Sequence, residues 1–210
     1  MELVTDLVEG AEKAESHWRN VTPRQPKGPF YPVNAVLDSG NDLTRTVASA
    51  EAAQGKIVFV SGRVRDVAGQ ALAGATVEIW QACESGKYDH PLDPNTAPLD
   101  PNFKYFGRTT TAHDGSYLFK TIVPGAYPAD EGWMRPPHIH FRVCKPGYVE
   151  LVTQMYFAGH ELNDVDEILL MIPEDERGSV VRPERDADPT LFGPGAKVLE
   201  FDLSLLKIKE

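Results

Sequence analysis

The chain carries short hydrophobic runs separated by turns that are rich in glycine and proline. Within several runs, hydrophobic and polar residues alternate with a period of two, which is typical of half-buried β-strands. Several short strands with turn signals between them are typical of a β-sandwich. The sequence therefore predicts an all-β fold, a β-sandwich core of antiparallel strands with long loops. The predicted strands cover residues 56–65, 75–82, 117–122, 138–144, 150–157 and 197–206.

Three segments depart from this pattern. Apolar residues at helical spacing predict a short N-terminal helix over 5–19. Prolines at 23, 26, 29 and 32 then forbid regular structure over 21–34 and predict an extended arm that lies on another surface. We therefore divide the chain into the helix and arm at 1–34 and one sandwich domain at 35–210. Within that domain, the proline-rich loop at 87–103 is long enough to be functional or held by packing.

Composition narrows the classes of partner. The chain has 210 residues, enough for one domain with a sizeable core, and its 21 basic and 31 acidic residues give a net charge of −10. Phosphate backbones and anionic membranes repel such a surface, so we expect neither nucleic acid nor membrane as partner. The N-terminus lacks the features of a signal peptide, and no apolar run reaches the length of a membrane span. These observations favour a cytoplasmic protein.

The two cysteines, Cys83 and Cys144, lie in apolar runs that resemble strands. Free cysteines are among the most buried residues, and an acidic chain without a signal peptide belongs in a reducing compartment. We therefore expect two buried free thiols, although a single disulfide remains possible at this point.

The motif RPPHIHF at 135–141 is the strongest chemical signal in the chain. Residues i and i+2 of a strand point to the same side, so His138 and His140 share one face while Ile139 faces the opposite layer. Two adjacent imidazoles are candidate metal ligands. The plainer alternative is a pair of polar histidines in a strand. The two prolines and Arg135 before the pair favour a rigid, functional site.

The residue types around the histidines bear on the choice of metal. No cysteine has zinc-type spacing to them, whereas an iron(II) site with two histidines and one carboxylate remains open because acidic residues are plentiful. Two tyrosines also occur in glycine- or proline-marked turns, Tyr88 in SGKYDHP and Tyr127 in PGAYP. A tyrosine in a turn usually packs at the surface. A phenolate is nevertheless a hard oxygen donor that suits iron(III), and metal binding can deprotonate it.

Seven blocks of sequence, in order, resemble the intradiol ring-cleaving dioxygenases. The likeness is greatest to the catalytic chain of the protocatechuate 3,4-dioxygenases and spans most of residues 28–160. The ordered set is far more specific than the histidine pair alone. The blocks are GPFYP (28–32), VSGRVRDVAGQALAGATVEIWQA (60–82), GKYDH (86–90), APLDPNF (97–103), GRTTTAHDGSYLFKTIVPGAYP (107–128), RPPHIHF (135–141) and TQMYFAGH (153–160).

This resemblance implies a non-haem iron(III) enzyme that uses O2 to split a catechol-type ring between its two hydroxylated carbons, giving a cis,cis-muconate-type diacid. It implies one iron(III) per chain and a catalytic domain at 35–210. It also implies an oligomer, formed either by identical chains or with a homologous second chain. The residues that match the family's motifs are the iron ligands Tyr88, Tyr127, His138 and His140 and the active-site residues Arg135 and Gln154, with Tyr127 also acting as a proton acceptor.

Other interpretations remain. The strand pair at 60–82 also resembles transthyretin-like binding modules, in which the protein would be a carrier without catalysis. That interpretation leaves Tyr88, Tyr127 and Arg135 without a role. A catalytically silent partner subunit is a third possibility, against which the intact ligand set argues. For Arg135, the alternative to a catalytic role is a structural ion pair, with Asp130 or Glu131 as candidate partners.

Overall fold

The computed structural model describes residues 21–33, 40–46 and 51–208. The predicted helix at 5–19 lies outside these residues. The described chain forms two five-stranded sheets and one separate two-stranded hairpin. The all-β prediction is thereby confirmed.

The first sheet is organised around its longest strand, β1 (Ile57–Asp66). On one edge β1 pairs antiparallel with β4 (Ser116–Ile122). It also pairs parallel with β11 (Lys197–Glu200) and then with β12 (Leu203–Leu205), in the same register. The short strand β10 (Arg185–Asp186) adds to β11 in antiparallel orientation.

The second sheet carries the histidine motif near its centre. Its strand order is β3 (Phe106–Thr110), β2 (Thr76–Trp80), β7 (His138–Cys144), β8 (Leu151–Phe157) and β9 (Val181–Arg182). All neighbours are antiparallel except β8 and β9, which are parallel. The histidine strand is thus paired on both sides, and its backbone is held at both edges.

The remaining elements are short. A hairpin is formed by β5 (Tyr127–Asp130) and β6 (Trp133–Arg135). The helices are a 3-10 helix (Glu161–Asp164), α1 (Glu167–Leu170), α2 (Glu174–Arg177) and α3 (Pro189–Phe192). In the described part of the chain, no helix is both long enough and apolar enough to cross a membrane.

The core lies between the two sheets. Alternate residues of the longer strands point inward, as the period of two predicts, and they are fully or nearly fully buried. A smaller buried cluster occupies the outer face of the second sheet, where the proline-rich arm packs on it with Phe30 and Tyr31. The inward residues of the central strands include Val58, Val60, Phe119, Val77, Ile79, Ile139, Phe141, Val143 and Met155.

The structure corrects the predicted pairing and boundaries. Most strand pairs are antiparallel, as predicted, but three are parallel, since alternation reports which face is buried and carries no information on the direction of a partner. The strand predicted at 197–206 is two strands. Between them, the Asp202 carboxylate accepts the Arg63 N–H at 2.8 Å, which takes the place of a ladder bond. Strand β3 and the β5–β6 hairpin were not predicted.

The two cysteines are free, as expected. Cys83 is buried, whereas Cys144 is only partly buried and lies 3.3 Å from the Glu150 carboxylate.

The alternation in β7 can be tested at Ile139. This side chain is 0% exposed in the core, between two histidines that face the other way. We expect Ile139→Ala to lower the free energy of unfolding by about 2–5 kcal/mol, through lost burial and the cavity left behind. Ile57→Ala, at a position that is 38% exposed, is the matched control and should cost less than about 1 kcal/mol. Denaturant unfolding measures both, and equal losses would contradict the assigned faces.

Candidate metal centre

The register of the second sheet places the site residues in two rows across its outer face. Trp80 of β2 lies opposite His140 of β7, which lies opposite Gln154 of β8. One step along, His138 lies opposite Tyr156. Directly opposite residues on one face have their side chains in contact range. The sheet thus brings the two histidines and Gln154 together, as their sequence motifs predict.

Two loops bring the tyrosines to the same place. Tyr88 follows β2 in the loop at its end, and Tyr127 begins β5. The loops touch through their backbones: a Cβ on Gly86 would lie 2.4 Å from the Ala126 oxygen, and one on Gly125 would lie 2.3 Å from the Glu84 oxygen. No side chain fits at either position, and Gly86 also has a φ of +81°. The glycine in each tyrosine motif is therefore what allows the two loops to meet.

The loop that carries Tyr88 is fixed by Asp93. The Tyr88 backbone N–H donates to the Asp93 carboxylate at 2.7 Å. The Lys87 ammonium donates to the Asp93 carbonyl at 2.8 Å and also to the Asn95 carbonyl. This part of the predicted 87–103 loop has no regular structure, yet it is held down by polar contacts close to the site.

The four candidate ligands converge. Nε2 of His138 lies 3.2 Å from Nε2 of His140 and 3.5 Å from the Tyr88 hydroxyl. The Tyr127 ring centroid lies 5.4 Å from that of Tyr88 and 5.6 Å from that of His138. Donor atoms bound at about 2 Å from one ion lie about 3 to 3.5 Å from one another, so the measured separations fit a shared metal.

Each imidazole is oriented by a neighbour. The Nδ1 group of His138 lies 2.7 Å from the Pro136 carbonyl, an arrangement in which Nδ1–H donates and the Nε2 lone pair is left for a metal. His140 stacks on Trp80, with ring centroids 4.8 Å apart and planes 9° from parallel. The carbonyl of Pro136, the first proline of the RPPHIHF motif, thus sets the tautomer of His138.

Burial controls the ionisation of all four side chains, which are 2–5% exposed. Burial, followed by the positive charge of Arg135, lowers the pKa of both His138 and His140 well below the ordinary value. Burial also raises the pKa of Tyr127, and burial together with the neighbouring Tyr127 raises the pKa of Tyr88 well above its usual range. The imidazoles are therefore neutral, and the phenols remain protonated until a cation binds.

The donor set fits an iron(III) ion. Two phenolates and two neutral imidazoles would bring a charge of −2 to a buried place, so the ion that they hold must be a multiply charged cation. Phenolate oxygen is the hard donor that such an ion prefers, and binding would supply the energy that deprotonates it. Among the described residues, no three His, Cys, Asp or Glu side chains come together to hold a metal. The side chains with hard oxygen atoms that lie beside the histidines are the candidate ligands Tyr88 and Tyr127.

Arg135 is buried beside the four donors, with 3% of its surface exposed. It forms an ion pair with Asp166, in which Nε lies 2.9 Å from Oδ2. The ion pair named as the alternative for Arg135 is therefore present, but neither Asp130 nor Glu131 is the partner, because both lie exposed at the β5–β6 hairpin. Burial alone would lower the pKa of Arg135, but its hydrogen bond to Asp166 raises the pKa above the ordinary value.

The proline-rich arm at 21–33 packs across the second sheet beside the site. The Gln25 backbone N–H donates to the Val152 carbonyl at 2.9 Å, and its side-chain amide donates to the Gln154 carbonyl at 2.9 Å. The Gln154 amide in turn donates to the Pro26 carbonyl at 3.0 Å. Further along, the Phe30 ring lies 4.8 Å from that of Tyr88. The arm therefore orients Gln154 and covers the tyrosines.

Four residues at the site were not predicted from the sequence: Asp166, Tyr156, Trp80 and Gln25. Tyr156 and Trp80 could have been found, because each lies directly opposite a histidine once the strand register is known. Gln25 and Asp166 lie outside the paired strands of the second sheet, in segments whose sequence carries no periodic signal. Only the folded chain brings them to the site.

Comparison with known proteins gives a consistent picture. A family model described as a dioxygenase matches residues 27–185. The chain is 39% identical over 183 residues to the protocatechuate 3,4-dioxygenase beta chain of Burkholderia cepacia, covering 84% of this chain and 77% of that one. It is 30% identical over 207 residues to the catechol 1,2-dioxygenase of Candida albicans, covering 91% of this chain but only 64% of the longer relative.

Solved structures agree. The dioxygenase domain of a dioxygenase and carbohydrate-binding fusion protein from Streptomyces sp. SirexAA-E is 28% identical, with a TM-score of 0.63 over 90% of this chain and 99% of that one. Catechol 1,2-dioxygenase from Pseudomonas arvilla C-1 is 27% identical, with a TM-score of 0.70 over 100% of this chain and 70% of that one.

The matches extend well beyond the strand pair at 60–82 that suggested a transthyretin-like binding module. They include both tyrosine loops, the histidine strand and the strand that follows it. A match limited to the hairpin would have left the carrier interpretation open, whereas a match through the whole site does not. The chain belongs to the intradiol ring-cleaving dioxygenase family.

Proposed function

We propose that this chain is an iron(III)-dependent dioxygenase that cleaves a catechol-type ring between its two hydroxylated carbons, using O2, to give a cis,cis-muconate-type diacid. The observation that carries the proposal is the convergence of Tyr88, Tyr127, His138 and His140 on one buried point. Relatives named as catechol, chlorocatechol, hydroxyquinol and protocatechuate dioxygenases support the same reaction class.

The four converging side chains would hold one iron(III) per chain. When bound, the ion would act as a Lewis acid that binds the catechol oxygens and makes the ring reactive towards O2. The protein contributes the ligand geometry and a dry environment. Sheet register fixes the two histidines, the glycine contacts fix the two tyrosine loops, and the Phe30 ring covers both tyrosines from the arm.

Three residues would act on the substrate. Tyr127 would lose its phenol proton when the ion binds, and its phenolate would then accept a proton from a catechol hydroxyl, because burial favours the neutral phenol. Arg135 offers a positive charge where negative charge develops on the ring. Gln154 accepts a hydrogen bond from Arg135 at 2.8 Å and so contributes to the polar wall of the site.

The ring substituent and the assembly are narrower proposals. The relatives act, by their names, on several different catechols, so we assign this chain to catechol-type substrates as a class. Because one relative is named a beta chain, we propose that this chain also works as an oligomer, either of identical chains or with a homologous second chain.

The iron ligands can be tested by metal analysis. We expect the wild type to bind one iron per chain and to show the visible absorption of tyrosinate bound to iron(III). His138→Ala and His140→Ala should each lose most of the iron, because each removes a direct ligand. His113→Ala, at an exposed turn position, is the matched control and should keep both iron and colour. Stoichiometric iron in both ligand variants would exclude the assignment.

The role of Arg135 can be tested by turnover per bound iron. Arg135→Ala should retain iron and bind catechol but turn over about a hundredfold more slowly, the scale expected when one preorganised charge is removed. Arg135→Lys keeps the charge but loses the planar fork, so it should also be slow. Because Asp166 would be left unpaired, the alanine variant should also unfold more easily, by about 3–5 kcal/mol.

The control for Arg135 is Arg63→Ala, which removes an arginine from an exposed ion pair with Asp114 on the other sheet. It should change neither iron content nor turnover. Near wild-type turnover of iron-replete Arg135→Ala would show that the guanidinium is only structural.

A further inference from the structure

Asp166 lies outside every motif that marks the family in this sequence, yet it reaches the centre of the site. It sits between the 3-10 helix and α1, and its side chain is 0% exposed. A carboxylate buried this completely is stable only when cations or hydrogen-bond donors surround it. Arg135 and the first turn of α1 supply those groups.

The contact between Asp166 and Arg135 is two-pronged. Arg135 Nε donates to Oδ2 at 2.9 Å, and Nη2 donates to Oδ1 at 3.2 Å. Parallel hydrogen bonds of this kind fix the plane of the guanidinium as well as its position. Rotation about the last bonds of the Arg135 side chain would break both of its hydrogen bonds to Asp166 at once.

The rest of the guanidinium is oriented as a consequence. Nη2 also donates to the Gln154 side-chain oxygen at 2.8 Å and to the Tyr156 hydroxyl at 3.1 Å. Nη1 points the other way, to Nε2 of His138 at 3.1 Å, among the candidate ligands. Because Nε and Nη2 are already hydrogen-bonded to protein groups, Nη1 is the guanidinium nitrogen that would contact a molecule bound beside His138.

Asp166 is itself held in place. Its Oδ1 accepts the Leu169 backbone N–H at 2.8 Å, so the carboxylate caps α1 while it binds Arg135. The cap ties the carboxylate to a helix, and the ion pair ties the helix to the site. A charged group fixed in this way needs no rearrangement when the reaction begins.

We propose that Asp166 is a positioning residue for the ring-cleavage reaction, which holds the Arg135 guanidinium with its Nη1 corner directed at the bound substrate. The inference rests on the proposed function, because it assigns Asp166 a role through Arg135. It adds a residue that acts through Arg135, to which its carboxylate is hydrogen-bonded, and not as a metal ligand.

The competing interpretation is that Asp166 only balances the buried charge of Arg135. Two substitutions separate the two roles. Asp166→Asn keeps the size of the side chain and an oxygen that can accept from the Leu169 N–H. It loses the negative charge and one of the two oxygens that accept hydrogen bonds from Arg135. Asp166→Glu keeps the charge but displaces the carboxylate by one methylene, so it preserves charge balance and disturbs only geometry.

The experiment uses the iron-loaded full chain and compares kcat per iron, KM and the affinity for catechol measured by absorbance without O2. If Asp166 is a positioning residue, both variants keep iron, kcat falls by about tenfold or more, and KM and anaerobic affinity change less than about threefold. Even if Asp166→Asn folds poorly, Asp166→Glu retains the ion pair and allows the measurement.

A second readout needs neither iron nor turnover. In metal-free protein, the Nε–H proton of Arg135, assigned by its absence in Arg135→Lys, should exchange slowly with water because it is buried and bound to Asp166. It should exchange faster in Asp166→Asn. The matched control is Asp188→Asn, since Asp188 caps the four-residue helix α3 in the same way, on the surface. This control should leave kcat and the Arg135 proton unchanged.

Three results would contradict the proposed role of Asp166 or the proposed function. Unchanged kcat per iron in Asp166→Glu would overturn the proposal in favour of charge balance alone. Loss of iron and of anaerobic catechol affinity together would also overturn it, because Asp166 would then support the metal ligands instead of Arg135. If the wild type, loaded with iron, cleaves no catechol, the proposed function itself fails, and the slow Arg135 proton would still report the ion pair.

Discussion

The site depends on the register of three antiparallel strands. Trp80, His140 and Gln154 form one row across β2, β7 and β8, and His138 faces Tyr156 in the next. A slip of one residue in β7 would turn both histidines into the core and bring Ile139 out among polar groups. The large hydrophobic core between the sheets makes that slip costly, so the packing that stabilises the fold also fixes the position of the imidazoles.

The sheet supplies only two of the four candidate ligands, and the positions of the other two depend on close backbone contact between loops. Gly86 and Gly125 let the segments before Tyr88 and Tyr127 touch with no side chain between them. Asp93 then holds the Tyr88 backbone from the far side. Loops positioned by a rigid scaffold commonly carry function, and here two loops are made rigid by each other.

Sequence patterns predicted the parts of this protein that follow local rules. The alternation in 138–144 gave β7 with its bounds, and the resemblance of the motifs around Tyr88, Tyr127 and the histidines to the intradiol dioxygenases implied which side chains converge. Partner direction was not predictable, because β1 pairs parallel with strands that lie more than a hundred residues away. Asp166 was not predictable either. Its contact with Arg135 joins residues 31 positions apart, across elements whose arrangement only the whole fold determines.

The charges of the site explain how an acidic protein would hold the proposed iron(III) ion without an excess of cations around it. The negative charge of Asp166 balances the positive charge of Arg135. Both histidines are neutral, because burial and the charge of Arg135 lower their pKa. The two phenols are neutral as well until a metal arrives. The interior is therefore close to electrically neutral when empty, and a trivalent cation would still carry excess positive charge after binding two phenolates. A catechol that loses both protons, one of them to Tyr127, would bring this centre to neutrality, so a bound trivalent ion would itself favour substrate binding, whatever the overall charge of −10.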